Sequence, residues 1–417
     1  MVNIFEEYES NVRSYCRVFN NTLKYAKNST IYAEDGTNYI DFFAGAGALN
    51  YGHNNEFIKS RIIDYITSDG IIHGLDMYTV AKKEFIDSFV EMILKPRDLN
   101  YKFQFCGSTG TNAVEAALKL ARKVKGRTGI FAFMGGFHGM SLGSLAATGN
   151  KECREGAGQT LPNVTFMPYP YGYMENIDSI EYIDNVLLDS NSGIERPAAI
   201  ILETIQAEAG IVVAPEEWLR RLAALCEKHD ILLICDDIQV GCGRTGDFFS
   251  FERAGIKPDM VTLSKSISGY GLPMSLLLLK PELDIWKPGE HNGTFRGNQL
   301  AFVGAKAAIE YRDLYCLGEK TRQKAKVIEE FLHNEIEQLD KKIHIRGYGM
   351  IWGIDFMEFD NLEITKKIVS NCFENGLIIE RAGRMDTVVK ILPPLTIELS
   401  TLNEGLNILR NSILQVL

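Results

Sequence analysis

Between Tyr101 and Lys280 short apolar runs alternate with amphipathic stretches, and that rhythm restricts the chain to a layered α/β architecture. The runs are Tyr101–Cys106, Gly129–Met134, Val164–Met167, Ala198–Ile205, Ile231–Cys235, Met260–Leu263 and Met274–Leu279. Between them Asn112–Val124 carries Val114, Ala117, Leu118 and Ala121 at helical spacing, and Glu216–His229 carries Trp218, Leu222, Leu225 and Cys226. Strands that are apolar throughout need cover on both faces. The pattern therefore predicts a mostly parallel, seven-stranded sheet between helices.

After about residue 315 the texture changes. A charged helix is expected over Glu319–Lys341, then short strands around Ile343, Ile351–Phe356, Leu377–Ile379 and Val388–Leu392, and a final helix from Leu402. That reads as a smaller α+β domain. Near the N-terminus, Ser29–Phe43 resembles a hairpin with Asp35-Gly36 at its turn. The expected division is an N-terminal segment 1–50 packing with the small domain, a large domain 51–314 and a small domain 315–417. A chain of 417 residues exceeds one common core, and 46% apolar residues can fill two.

A net charge of −10 argues against nucleic acid and anionic membranes as partners. No apolar run reaches the length of a membrane span, and Met1–Cys16 is too charged and polar for a signal segment. The eight cysteines form no C-x-x-C pair and the histidines do not cluster, which points to reduced thiols, a cytoplasmic setting and no metal site. Cys235 and Cys242, in apolar or glycine-rich surroundings, read as packing residues.

Two strand ends carry the chemistry. Ile231–Cys235 runs into Asp236-Asp237-Ile238-Gln239, and Met260–Leu263 runs into Ser264-Lys265-Ser266. Both would deliver their polar groups to one edge of the sheet, where open α/β folds hold ligands. A lysine beside a buried carboxylate suits pyridoxal phosphate (PLP): the amine holds the aldehyde, and the carboxylate keeps the pyridine nitrogen protonated. The plainer reading is a lysine snorkelling to water beside ordinary strand-end acids. Gly107-Ser108-Thr109-Gly110-Thr111-Asn112 follows another strand, and Asn112 with Glu115 suggests a capping box at a helix start, a ready anion site or simply a βα turn. Phe137-His138 opens a loop on the same edge, where an aromatic could stack on a ring or pack in the core. Glu203 and Glu208 bracket another strand end, as a solvated rim or as ligands for an ammonium group.

Two motifs point elsewhere. Gly241-Cys242-Gly243-Arg244-Thr245-Gly246 matches the dinucleotide pattern of a nicotinamide oxidoreductase, yet the preceding strand ends in two aspartates and no good helix start follows. Gly139-Met140-Ser141-Leu142-Gly143 matches a serine hydrolase elbow, but Gly135-Gly136-Phe137-His138 separates it from its strand.

Taken together, Thr109-Gly110-Thr111, Phe137-His138-Gly139, Glu203 with Gln206 and Glu208, Asp236 through Gly246, Lys265, and Thr294-Phe295 with Gly297-Asn298 resemble the class III aminotransferases of PLP fold type I, in family order and over nearly the whole chain. The resemblance implies that Lys265 holds PLP and moves protons while Asp236 binds the pyridine nitrogen. Ile238 would lie under the ring, Gln239 near its hydroxyl and Phe137 above it, with His138 in the same loop. Gly110 and Thr111 would hold the phosphate, joined by Thr294 from a second subunit. The implied enzyme is a homodimer with shared active sites, or a dimer of dimers, acting on amino acids and oxo acids.

Within the class, Phe42–His53, Leu75-Asp76-Met77, Thr109–Glu115, Ser264–Pro273 and Gly289–Gly297 look most like the diaminobutyrate–2-oxoglutarate group, which moves an amino group from glutamate onto aspartate 4-semialdehyde. Enzymes for another ω-amine, such as ornithine or 4-aminobutyrate, and aminomutases are the alternatives. Lys390, two residues before Leu392-Pro393-Pro394, stands where many ω-aminotransferases have an arginine that pairs with the acid at Glu208. A lysine cannot grip a carboxylate bidentately, which makes Arg296 the candidate for that contact. Ala207-Glu208-Ala209 replaces the usual Gly-Glu-Gly, so a different loop shape is expected.

Overall fold

The computed structural model describes residues 4–171 and 176–417. Its central sheet has seven strands in the spatial order Lys102–Phe105, Leu276–Leu279, Met260–Leu263, Leu232–Asp236, Ala199–Leu202, Ile130–Phe133 and Val164–Met167. The last five are parallel, whereas Leu276–Leu279 runs antiparallel to both neighbours. Every residue of Ala199–Leu202, Leu232–Asp236, Met260–Leu263 and Leu276–Leu279 is buried, as a sheet covered on both faces requires. The helix Gly110–Lys125 seals one face with Ala113, Val114, Ala117 and Ala121. Glu216–Lys228 and Gln299–Leu314 help seal the other, around Phe89, Leu222 and Phe302. The predicted α/β class and mostly parallel seven-stranded sheet are what the chain forms.

The C-terminal part builds an antiparallel sheet ordered His344–Tyr348, Ile351–Asp355, Val388–Ile391 and Glu380–Ala382. The N-terminal hairpin is Thr30–Ala33 paired with Asn38–Asp41, and Thr37 N donates to Asp35 Oδ1 at 2.9 Å in the turn where Gly36 takes φ +93°. A further strand, Leu23–Lys27, extends it, and Asn38–Asp41 pairs in parallel with Leu377–Ile378. Ile40, Phe42 and Tyr51 thereby join the C-terminal core with Trp352, Ile391 and Leu406.

Several expectations need correction. The run Ala198–Ile205 is not one strand: Ala199–Leu202 stays in the sheet, while Ile205–Gln206 leaves it to pair with Val212–Val213. Glu319–Lys341 is not one α-helix. An α-helix spans Leu317–Phe331, and wider π-helical and tighter 3₁₀ turns follow to Leu339. The last helix begins at Leu399 rather than Leu402. Thr109, not Asn112, caps the Gly110–Lys125 helix, with Asn112 Oδ1 accepting from Thr109 N at 3.3 Å. Glu115 turns instead to the start of the Leu142–Ala147 helix, accepting from Ser141 Oγ at 2.7 Å and Gly143 N at 2.9 Å. Among the described residues no helix is long and apolar enough to cross a membrane.

Candidate active site

The carboxyl ends of the parallel strands converge on a cavity of about 140 Å³. Asp236, the last residue of its strand, reaches it, and so does Lys265, two residues past Leu263. Asp237 does not line it. Successive strand residues point to opposite sides, and Asp237 is buried with its carboxylate accepting from Ser250 N at 3.1 Å. The expected carboxylate pair thus divides into one group facing the cavity and one holding a turn. Burial pushes Asp237 up to about 7.

Asp236 is held from two sides. Oδ2 meets His138 Nδ1 at 2.7 Å, while Oδ1 accepts from Thr262 Oγ1 at 3.0 Å and Ile238 N at 3.3 Å. Thr262 is available because it is the register partner of Asp236 on the neighbouring strand. Burial alone would lower the proton affinity of His138, but the Asp236 hydrogen bond and charge together raise it. Across the cavity Lys265 has φ +51°, an uncommon conformation for a side-chain-bearing residue, set by the sharp turn between Ser264 and Gly269. Burial pushes the Lys265 ammonium down, against the pull of Glu208, which favours a nucleophilic amine.

Gly110 and Thr111 line the cavity from the first turn of their helix, where amides have no intrahelical acceptor and the helix dipole favours an anion. A side chain at Gly110 would come within 2.8 Å of Ile238 Cδ1. Thr111 Oγ1 is tied to Ser141 Oγ at 2.6 Å and to Ser144 Oγ. Phe137, His138, Ile238 and Gln239 complete the lining with Gly139, Glu203, Glu208 and Val240. Glu203 Oε1 accepts from Phe137 N at 2.8 Å and so fixes the aromatic loop.

Glu208 sits on the turn of the small hairpin Ile205–Gln206 and Val212–Val213. Ala207 and Ala209 both keep negative φ, and the left-handed positions are Gly210 at +101° and Ile211 at +58°. The alanines are therefore accommodated without the freedom of glycine. Lys390 approaches from the C-terminal sheet, its Nζ 2.8 Å from Glu208 Oε1, and Gln239 Nε2 donates to the same oxygen at 3.1 Å. Thr294 and Arg296 are not among the residues lining this chain's cavity. Thr294 is exposed, and the Arg296 guanidinium donates to the His291 carbonyl.

The rejected motifs have structural roles. Arg244, fully buried, donates to Met350 O at 3.1 Å, to Asn50 Oδ1 at 2.5 Å and to Pro393 O, tying three distant parts of the chain together. Ser141 is bonded to Glu115 and Thr111, while His138 is committed to Asp236. A larger hollow of about 470 Å³ lies around Tyr171, Arg346, Asp355 and Arg384, but among the described residues no lysine lines it. Thr262, Val240 and Glu380 were missed in the sequence. Only register, which the sequence does not display, links Thr262 and Glu380 to the site.

The cavity suits a phosphorylated aldehyde with a basic ring nitrogen. A helix N-terminus awaits the phosphate, an amine of lowered proton affinity awaits the aldehyde, and an anchored carboxylate awaits the ring nitrogen. That compound is PLP, and the fold and cavity place the chain among PLP-dependent transferases of fold type I. Residues 13–413 match the family described as aminotransferase class-III. The diaminobutyrate–2-oxoglutarate transaminase of Streptomyces avermitilis is 53% identical over 415 residues, covering 99% of this chain and 97% of its own length. Proteins of the same name from Wolinella succinogenes and Bordetella parapertussis are 52% and 50% identical, covering 100% of this chain and 97% and 96% of theirs. Among solved structures, a Bacillus anthracis aminotransferase superposes with a TM-score of 0.88 at 24% identity, over 99% of this chain and 97% of that one. The ornithine aminotransferase of Toxoplasma gondii superposes at 0.86 with 23% identity, over 99% and 93%. Those two likenesses speak to fold alone. The chain belongs to the class III aminotransferases, whose cofactor is PLP.

Proposed function

We propose that this chain is a diaminobutyrate–2-oxoglutarate transaminase, exchanging an amino group between L-glutamate and the 4-position of L-2,4-diaminobutyrate, with 2-oxoglutarate and L-aspartate 4-semialdehyde as the oxo partners. The observation that carries this reading is identity of 50–53% over essentially the full length to relatives of that name.

When bound, PLP supplies an electron sink for the charge left on a substrate carbon that loses its proton. Asp236 would hold the proton of the ring nitrogen, and His138 and Thr262 keep its carboxylate in place. Lys265 would tether the cofactor and would carry the proton at the substrate carbon. Gly110 and Thr111 would hold the phosphate, and Phe137, Ile238 and Gln239 would line the cofactor's ring. Glu208 would meet the far end of the substrate, with Lys390 buried behind it as its ion-pair partner.

The active site is shared in a homodimer in this reading, with the partner subunit's Thr294 reaching the phosphate and the partner subunit's Arg296 the substrate carboxylate. The exposure of Thr294 and of Phe295, which is 70% exposed, supports it, as do the exposed Leu75, Met77 and Tyr78 of another segment. The chain divides at residues 50 and 314, and the enzyme works in the cytoplasm.

A half-reaction screen tests the substrate. Purified holoenzyme is mixed with glutamate, 2,4-diaminobutyrate, ornithine or 4-aminobutyrate, and loss of the visible band of the lysine-bound cofactor is followed. Glutamate and diaminobutyrate should react fastest. Faster reaction with ornithine or 4-aminobutyrate than with diaminobutyrate would overturn this choice.

A further inference from the structure

Lys390 is enclosed by two carboxylates rather than one. Its ammonium is 2.8 Å from Glu208 Oε1 and 2.7 Å from Glu380 Oε1, and its side chain is 0% exposed. The acids stand on different sides. Glu208 lines the cavity and is 36% exposed to it, whereas Glu380 is 9% exposed and does not line it. Glu380 is the cross-strand partner of Lys390 in the antiparallel pair Glu380–Ala382 and Val388–Ile391. Seen from the cavity, the order is acid, base, acid.

Glu208 Oε1 takes the bonds from Lys390 and Gln239, and Oε2 accepts no hydrogen bond from the described residues. A free carboxylate oxygen therefore remains for whatever enters. Glu380 Oε1 makes no aligned hydrogen bond despite its closeness to Lys390, so its contribution is charge rather than direction. Lys390 with Glu208 alone would be neutral. With Glu380 ionised, the group carries one excess negative charge, in surroundings where charge is poorly screened. Should Glu208 turn toward a substrate, Lys390 keeps a partner and is not left as an unpaired buried cation. Glu208 is thus the part free to move, and Lys390 is fixed by its register.

We propose that Glu380 determines specificity: its charge behind Lys390 biases the cavity toward substrates with an ammonium group at the end remote from the reacting amine, and against those with only a carboxylate there. The proposal rests on the aminotransferase reading of the cavity but not on which ω-amine is used.

The test compares wild-type and Glu380→Gln holoenzyme at pH 8.5, above the value of about 7 to which burial raises Glu380, in half-reactions with two kinds of donor. Diaminobutyrate and ornithine carry a remote ammonium beside a carboxylate, and 4-aminobutyrate and glutamate carry a remote carboxylate alone. In Glu380→Gln the ratio of rate constant to apparent dissociation constant should shift roughly tenfold from the first kind toward the second, mainly through binding. At the same pH the double variant Glu380→Gln/Lys390→Met, with Glu208 ionised and still bonded by Gln239, carries the net charge of wild type and should return the ratio toward wild type. It also serves if the single variant folds poorly. A uniform loss with all four donors, an unchanged ratio, or failure of the double variant to restore it would overturn the proposal. Whether diaminobutyrate outruns ornithine is read from wild type alone, so the substrate assignment is judged separately.

Discussion

His138 and Asp236 are 98 residues apart in the chain, yet the imidazole Nδ1 lies 2.7 Å from the carboxylate Oδ2 with both groups buried. With Thr262 on the other oxygen, the carboxylate has no freedom to rotate away from the cavity. His138→Ala should leave PLP bound but let Asp236 drift, lowering kcat by about 10- to 100-fold, the range seen when partners that orient metal ligands are removed. Asp236→Asn keeps the shape but not the charge, and should cost more, about 10²- to 10⁴-fold. Steady-state rates at matched PLP occupancy check both. Wild-type turnover in His138→Ala would mean that Asp236 needs no orienting partner.

Lys265→Ala removes the only amine that lines the cavity among the described residues. The variant should remain folded by circular dichroism, lose the visible band of lysine-bound cofactor, and lose at least about 10²- to 10⁴-fold in turnover. Turnover near wild type would sink its assignment.

Thr294 is exposed and absent from its own chain's cavity. If it serves a second subunit, mixing Lys265→Ala and Thr294→Ala chains under subunit exchange should restore activity that neither has alone. In the mixed dimer one site combines an intact Lys265 with an intact Thr294 from the other chain. A fully active monomer in sedimentation, or no recovery in proven mixed dimers, would refute sharing.

Arg296 belongs to the same stretch. At matched PLP occupancy, Arg296→Ala should slow the glutamate half-reaction by more than tenfold, as expected when a carboxylate loses a charged hydrogen-bonding partner worth about 1.5–3 kcal/mol. Equal glutamate rates in wild type and variant would leave the substrate carboxylate without this contact.

Burial pushes three carboxyl groups, Glu203, Asp237 and Glu380, up to about 7 each. Unfolded, such groups titrate near 4. Between those values the folded chain binds more protons than the unfolded one, so stability should fall as pH rises from about 4.5 through 7. Thermal denaturation of the holoenzyme should therefore give a higher Tm near pH 5.5 than near pH 8. Asp237→Asn, which keeps an acceptor for Ser250 N and lies outside the cavity, should flatten that slope. An unchanged slope in Asp237→Asn would contradict the direction for that group, since the comparison cancels the opposing contribution of His291, whose proton affinity burial lowers.

The sequence by itself determined the sheet and which two charged strand-end residues share the cavity at its edge. Apolar runs such as Met260–Leu263 can be satisfied only inside a covered sheet, and a polar residue that ends such a run must emerge at its edge. That local rule suffices to bring Asp236 and Lys265 together. It says nothing of which strands are neighbours, so Thr262 beneath Asp236 and Glu380 beside Lys390 became visible only with the register. Nor does it distinguish an apolar run that stays in one sheet from one that breaks, and so Ala198–Ile205 looked like a single strand. The break is decided by tertiary packing. Ile205 leaves the sheet to join Ala207, Ile211, Val388 and Leu392 in a separate apolar cluster, and in doing so it swings Glu208 toward Lys390. Contacts between parts of the chain folded from distant segments depend on how their cores dock, and no spacing within either segment encodes that docking.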